Sequence, residues 1–289
     1  VSRLGARIVT GTTLAVLAAG LLWLDARLPA GRLPWSVATV LGLLSAWELD
    51  RMGRFRGQGH GPALATVCAG LAAGLLLDWP GLGPGHDPLV RLAMLYVHAG
   101  LFAIPGLVVA RIVGGRGPAR TPLGTAAMAL WLLPALFALV LVDHQLGVRG
   151  LVALVVLAKV GDNAGFFVGR AIGKRHPFPG ISPGKTVAGC VASLVAGVVT
   201  GALLLPTLLT GAGGSPALVG GLVGGALNLA AQASDLSESW VKRRADVKDS
   251  GRLAGPSGGV LDVIDSLFFA APLAVVLFRT CYGAAPTPL

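Results

Sequence analysis

The sequence predicts an all-α, polytopic transmembrane bundle, and three observations lead there. Of its 289 residues, 54% are hydrophobic and only 12% charged, with a mean hydropathy of +0.76. A soluble domain is about a quarter charged, so this chain cannot coat a water-facing surface of its size. Its apolar residues gather in windows close to the roughly 20 residues that a helix needs to cross a bilayer. Its basic residues fall in alternate gaps between those windows, the pattern that sets membrane topology. The scarcity of charge also excludes a disordered chain. The 43 glycines follow no Gly-X-Y period, which excludes collagen.

Nine spans are expected, near 8–24, 34–48, 62–78, 89–110, 122–142, 150–170, 187–209, 215–233 and 258–280. The first follows Arg3 and Arg7 and leads into further spans, so it reads as a retained signal-anchor. The second is short and closes on Glu48 and Asp50. The third and eighth carry small residues four apart, Gly70 with Gly74, Gly220 with Gly224 and Gly221 with Gly225. That spacing lets helices approach closely. No internal repeat suggests an inverted-repeat transporter. The expected division is a membrane-spanning region over 1–121 and a membrane-embedded region carrying the chemistry over 122–289.

The N-terminus and the loops at 51–60, 111–120, 170–186 and 234–257 hold seventeen of the 23 Lys and Arg. The opposite loops and the C-terminus hold only Arg27, Arg32, Arg91, Arg149 and Arg279. The N-terminus is therefore expected inside and the C-terminus outside, in a multi-pass protein of a bacterial inner membrane. The net charge of +10 then reports topology, and nucleic acid is not an expected partner. Cys68, Cys190 and Cys281 lie far apart, giving neither a disulfide framework nor a thiolate site. The five histidines form no close pair, which argues against zinc.

Ionisable residues inside spans are costly and point to function. They collect at Lys159 with Asp162 and Asn163, at Asp235 with Glu238, and at Asp262 with Asp265. Lys159 alone also fits a side chain that snorkels to the interface. On a helix, Asp235, Glu238, Ser239 and Lys242 stand at i, i+3, i+4 and i+7 and share one face. Asp262 and Asp265 share a face of the last span, and the segment Gly251 to Gly259, with Pro256, breaks helix between the two groups. Carboxylates without His or Cys suit Mg²⁺, and neighbouring Lys and Arg suit phosphate oxygens. The pattern reads as a site for a metal-bound polyphosphate at the cytoplasmic side of the C-terminal half. An ion-pair network, or a basic cluster that binds anionic lipid, accounts for the same charges and stays open. The loop Ile181-Ser182-Pro183-Gly184-Lys185-Thr186 lacks the leading glycines and strand of a Walker A loop. At a helix N-terminus it remains a phosphate contact.

At these residues the chain resembles the phosphatidate cytidylyltransferase, or CDP-diacylglycerol synthase, family, over about its last 130 residues. Ser239, Lys242, Arg243, Lys248, Asp249, Gly251, Gly258, Gly259, Asp262 and Asp265 stand at the positions of that family's signature. Gln232, Asp235, Leu236, Glu238 and the 181–186 loop match as well. The chain departs from the pattern at Ser257 (His in the family), Val263 (Arg), Ala254 (a Leu-like residue) and Ala188 (Glu).

The resemblance implies transfer of a cytidylyl group from CTP to phosphatidate, with release of pyrophosphate. A lipid phosphate is already anionic at neutral pH, so charge neutralisation and in-line positioning can carry the reaction without a strong base. The implied catalytic residues are Asp235, Asp262, Asp265 and Lys242, with Asp235 and Asp262 holding Mg²⁺. Lys242, Arg243, Lys248 and Lys185 would bind phosphates, and Asp249 would lend acidic support. Ser182, Glu238, Ser239, Gly258 and Gly259 complete the substrate-binding set. The expected partners are CTP, phosphatidate and the bilayer, with a homodimer left open. The rivals are CTP-dependent transfer to another membrane lipid, a weakened relative that only binds CTP or lipid, and a transporter.

Overall fold

The structure is a computed structural model that describes residues 12–13, 16–17, 19–24, 27, 32–52, 62–76, 122–255 and 258–283. Its helices are α1 (Arg32–Met52), α2 (Pro62–Leu76), α3 (Pro122–Ile172), α4 (Val187–Leu208), α5 (Pro216–Arg244), α6 (Val260–Ile264) and α7 (Leu267–Tyr282). No strand occurs among the described residues. The all-helical expectation therefore holds. Four stretches are long and apolar enough to cross a bilayer: Leu132–Ile172, Val187–Leu208, Pro216–Arg244 and Val260–Tyr282. This is a membrane protein. Part of the expected 8–24 span and all of the 89–110 span lie outside the described residues.

The other windows differ from the helices in instructive ways. The two at 122–142 and 150–170 lie on either side of a break within α3, at Gly147 with φ 60° and ψ −160°, so α3 is two helices that follow directly on one another. Only glycine adopts that backbone without strain. The window at 215–233 ends where the apolar run ends, but α5 continues to Arg244 and carries the polar face with it. The last window divides into α6 and α7 at Asp265 and Ser266.

The chain forms two compact units, 1–140 with 241–265 and 141–240 with 266–289. In the first, Trp35 of α1 meets Phe137 edge-on at 5.8 Å between ring centroids. Gly42 leaves room for Leu136 and Val67, and Gly70 for Leu133. Asp50 Oδ1 accepts the Ala63 N–H at 2.9 Å, satisfying one of the orphan donors at the start of α2.

In the second unit the helices meet through glycine. A Cβ on Gly201 would run into the Gly220 carbonyl, and one on Gly224 into that of Gly197. The Gly220–Gly224 pair thus packs as its spacing predicts. A second stripe went unread in the sequence. Gly161, Gly165, Gly169 and Gly173 of α3 and its end face Ser193, Asn228, Gly189 and Thr186 at van der Waals range or closer. Val191, Val195 and Leu203 of α4 and Leu218, Leu222 and Leu229 of α5 are exposed. On helices of this length, such faces belong against lipid.

Candidate active site

The first unit builds its site around one carboxylate. Asp262 lies in the single turn of α6, capped at Gly259. Its Oδ2 accepts Gly259 N–H at 2.6 Å, Ser250 N–H at 2.9 Å and the Ser250 hydroxyl at 2.8 Å. Its Oδ1 holds Lys242 Nζ at 2.5 Å. Lys242 sits in the last turn of α5 and is only 9% exposed. A buried ammonium needs such a counter-charge.

The two glycines before α6 serve this arrangement. Gly258 has φ +97°, a region side chains rarely enter, and a Cβ there would strike the Asp262 carboxylate. A Cβ on Gly259 would strike the Ser250 hydroxyl and the carboxylate of Glu48. Their N–H groups are already committed, Gly258 to the Gly255 carbonyl at 3.1 Å and Gly259 to Asp262.

Glu48 is the residue that sequence reasoning missed. It comes from α1, is 0% exposed, and accepts from Val260 N–H and Leu261 N–H at 2.9 Å each and from the Ser250 hydroxyl at 2.8 Å. The signal was present, since a carboxylate at the end of an apolar window invites the same question as Asp262. In the sequence it marks only the point where the second window closes. Ser250, also buried, carried no signal of its own.

The second unit holds the upstream loop and the middle of α5. Lys185 Nζ pairs with Asp235 Oδ2 at 2.6 Å, the two side chains being 20% and 25% exposed. The loop bends back through Lys185 N–H to the Ser182 carbonyl at 3.1 Å and Val187 N–H to the Arg175 carbonyl at 2.9 Å. Thr186 then caps α4, its hydroxyl accepting Gly189 N–H at 3.1 Å. Glu238, one turn beyond Asp235, is buried, and the two offer carboxylate oxygens within 4.8 Å of one another. Ser239 is buried beside it in sequence.

A neutral network lies deeper. Asn228 exchanges hydrogen bonds with Ser193 at 3.1 and 3.2 Å, and Gln232 donates to Asn228 at 2.8 Å and to the Cys190 carbonyl at 3.3 Å. Lys159 and Asp162 form a looser pair at 3.6 Å, each more than a third exposed.

The structure thus joins Lys242, Asp262, Gly258 and Gly259 in one constellation, and Lys185, Asp235 and Glu238 in another. Arg243, Lys248 and Asp249 are exposed beyond the α5 core, with Arg243 Nη1 reaching the Val247 carbonyl at 3.3 Å. Ser182, Asp265 and Val263 are half-buried, and Ser257 lies outside the described residues. A hard cation fits the Asp235–Glu238 oxygens, an all-carboxylate pair. Asp262 has both oxygens engaged, so a cation would reach it only in exchange for Lys242.

Residues 5–281 match the cytidylyltransferase family. A protein of Brucella melitensis named phosphatidate cytidylyltransferase is 32% identical over 273 residues, covering 87% of this chain and 94% of its own. One of the same name from Bacillus subtilis is 30% identical over 279 residues, 94% and 96% of the two chains. A Helicobacter pylori protein, again so named, is 36% identical over 143 residues, 49% of this chain and 52% of its own. The match runs through both units and both constellations, and this chain belongs to the cytidylyltransferase family.

Proposed function

We propose that this protein is a phosphatidate cytidylyltransferase, which makes CDP-diacylglycerol and pyrophosphate from CTP and phosphatidate for phospholipid synthesis. The observation that carries the reading is end-to-end similarity to proteins of that name. The chemistry of the site agrees with it. A phosphatidate oxygen attacks the α-phosphorus of CTP, the bond to the bridging oxygen breaks, and pyrophosphate leaves with that electron pair. A nucleophile that is already anionic asks for neutralised charge rather than for a base.

In this proposal Lys242 meets phosphate oxygens, and Asp262 organises its ammonium. Lys185 meets phosphate by exchanging Asp235 for it. Arg243, exposed in the last turn of α5, and Lys248, exposed beyond it, receive the triphosphate from the aqueous side. Ser182 and Ser239 offer hydroxyls, while Asp249 and Asp265 lend acidic support. Gly258 and Gly259 serve through the loop they shape, since their N–H groups are spent within it. Mg²⁺, held by Asp235 with Glu238, would supply charge neutralisation on the transferring group. The site would face the cytoplasm of a bacterial inner-membrane protein with nine spans, and the lipid would enter sideways between helices.

The test is direct. Purified protein in detergent receives labelled CTP, Mg²⁺ and phosphatidate, and in parallel a polyprenyl phosphate or an isoprenoid glycerol phosphate. Cytidine should enter the phosphatidate product with release of pyrophosphate. Label in another lipid alone would move the substrate, and label in none would end the reading.

Ser257 and Val263 favour a second reading, a member that binds CTP without turnover. Restoring the family pattern with Ser257→His and Val263→Arg should raise a measurable wild-type rate. Bound CTP with no product before or after restoration would favour the second reading.

A further inference from the structure

We infer that Glu48 is a positioning residue for this transfer, setting the ammonium of Lys242 through Ser250 and Asp262. The inference rests on the function proposed above, in which Lys242 meets phosphate oxygens. It starts from a connection made across 202 residues of sequence, from Glu48 Oε2 to the Ser250 hydroxyl at 2.8 Å. The same hydroxyl lies 2.8 Å from Asp262 Oδ2. A hydroxyl has one proton to donate, so it serves the two carboxylates in turn. The Ser250 N–H, 2.9 Å from Asp262 Oδ2, keeps the second link when the hydroxyl turns to Glu48. Asp262 Oδ1 then holds Lys242.

Glu48 also fixes the ground on which Asp262 stands. Its bonds to Val260 N–H and Leu261 N–H tie down the start of α6, the turn that carries Asp262. Steric complementarity points the same way. A Cβ on Gly251 or on Gly259 would collide with the Glu48 carboxylate, so two signature glycines leave the space that this acid fills. The loop, α6 and the end of α5 are thereby referred to one fully buried side chain of α1. A plain fold anchor would leave the ligand-facing cation indifferent to it. A positioning residue would not.

The experiment is a double-mutant cycle read in CTP affinity with Mg²⁺ present, using the full-length protein in detergent. The four forms are wild type, Glu48→Gln, Lys242→Ala and the double variant. Gln keeps the size of Glu48 and one acceptor oxygen, and loses the other. Glu48→Gln should weaken CTP binding about tenfold in the wild-type background, the worth of one hydrogen bond to a charged group. With Lys242 already removed it should cost less than about twofold, because coupled residues are not additive. In turnover, kcat should fall while the KM for phosphatidate stays within about twofold, and Glu48→Asp, which keeps both oxygens, should recover part of the loss.

An equal loss with and without Lys242, or wild-type affinity in Glu48→Gln, would overturn the inference. If Glu48→Gln does not fold, Ser250→Ala takes its place in the cycle, since it cuts the hydroxyl link and spares the bonds from Glu48 to α6. A wild type that binds CTP but makes no CDP-lipid would overturn the transfer instead, and the binding cycle would still decide on Glu48.

Discussion

Asp262 and Asp235 are both acids paired to a lysine, yet they are held differently. Asp262 receives three donors from the 250–259 loop and a fourth from Lys242, whose ammonium is nearly buried. Asp235 meets Lys185 with a quarter of its side chain still open. A carboxylate with both oxygens engaged acts as a part of the frame. One with open surface can trade its lysine for another cation. The first constellation is built to hold, and the second leaves surface open for exchange.

The largest effect should come from breaking the frame. Asp262→Asn removes a counter-charge from the buried Lys242 ammonium, and removing one partner of a buried pair costs about 3–5 kcal/mol. Thermal unfolding in detergent should show that loss together with a collapse of turnover. If the variant melts like the wild type, Asp262 is not the frame it is described as.

Asp235→Asn sharpens the contrast. It should lower Mg²⁺-dependent turnover by about a hundredfold or more, as loss of a group that stabilises transition-state charge does. Stability should change by no more than about 1 kcal/mol, the range for partly exposed pairs. A titration with Mg²⁺ should show a raised requirement. Unchanged Mg²⁺ dependence would take the metal away from Asp235.

Gly258→Ala tests the frame more gently. The left-handed backbone and the collision with Asp262 together cost about 1–3 kcal/mol, the scale of a strained residue. Melting should move accordingly, with turnover down in step.

Lys159→Met should do least. Its pair with Asp162 is long and more than a third exposed, so about 0–1 kcal/mol is at stake and turnover should stay within a few-fold. A large loss of activity would add this pair to the exchanging group.

Much of this was legible in the sequence for a physical reason. Hydropathy is a local property, so the windows at 187–209 and 215–233 found α4 and the body of α5. Helical spacing is local too, and it grouped Asp235 with Glu238. Partnership across the chain is not local. Nothing in the spacing announces that Glu48 serves Leu261, 213 residues later, or that Lys185 would find Asp235. Backbone exceptions were unevenly legible: the bend at Gly147 falls in the polar gap between the windows at 122–142 and 150–170, whereas the break at Asp265 falls inside a run whose composition suits a continuous helix.

The glycine stripe of α3 has a consequence for depth in the bilayer. Its notches recur every four residues, a rise of about 6 Å along a helix. Against a hydrocarbon layer of roughly 30 Å, a slip by one notch is a fifth of the membrane. Thr186 rests against Gly169 and Gly173, which selects one notch, and Lys185 is its neighbour in the chain. The stripe therefore acts as a coarse ruler, giving the lysine a fixed level along α3.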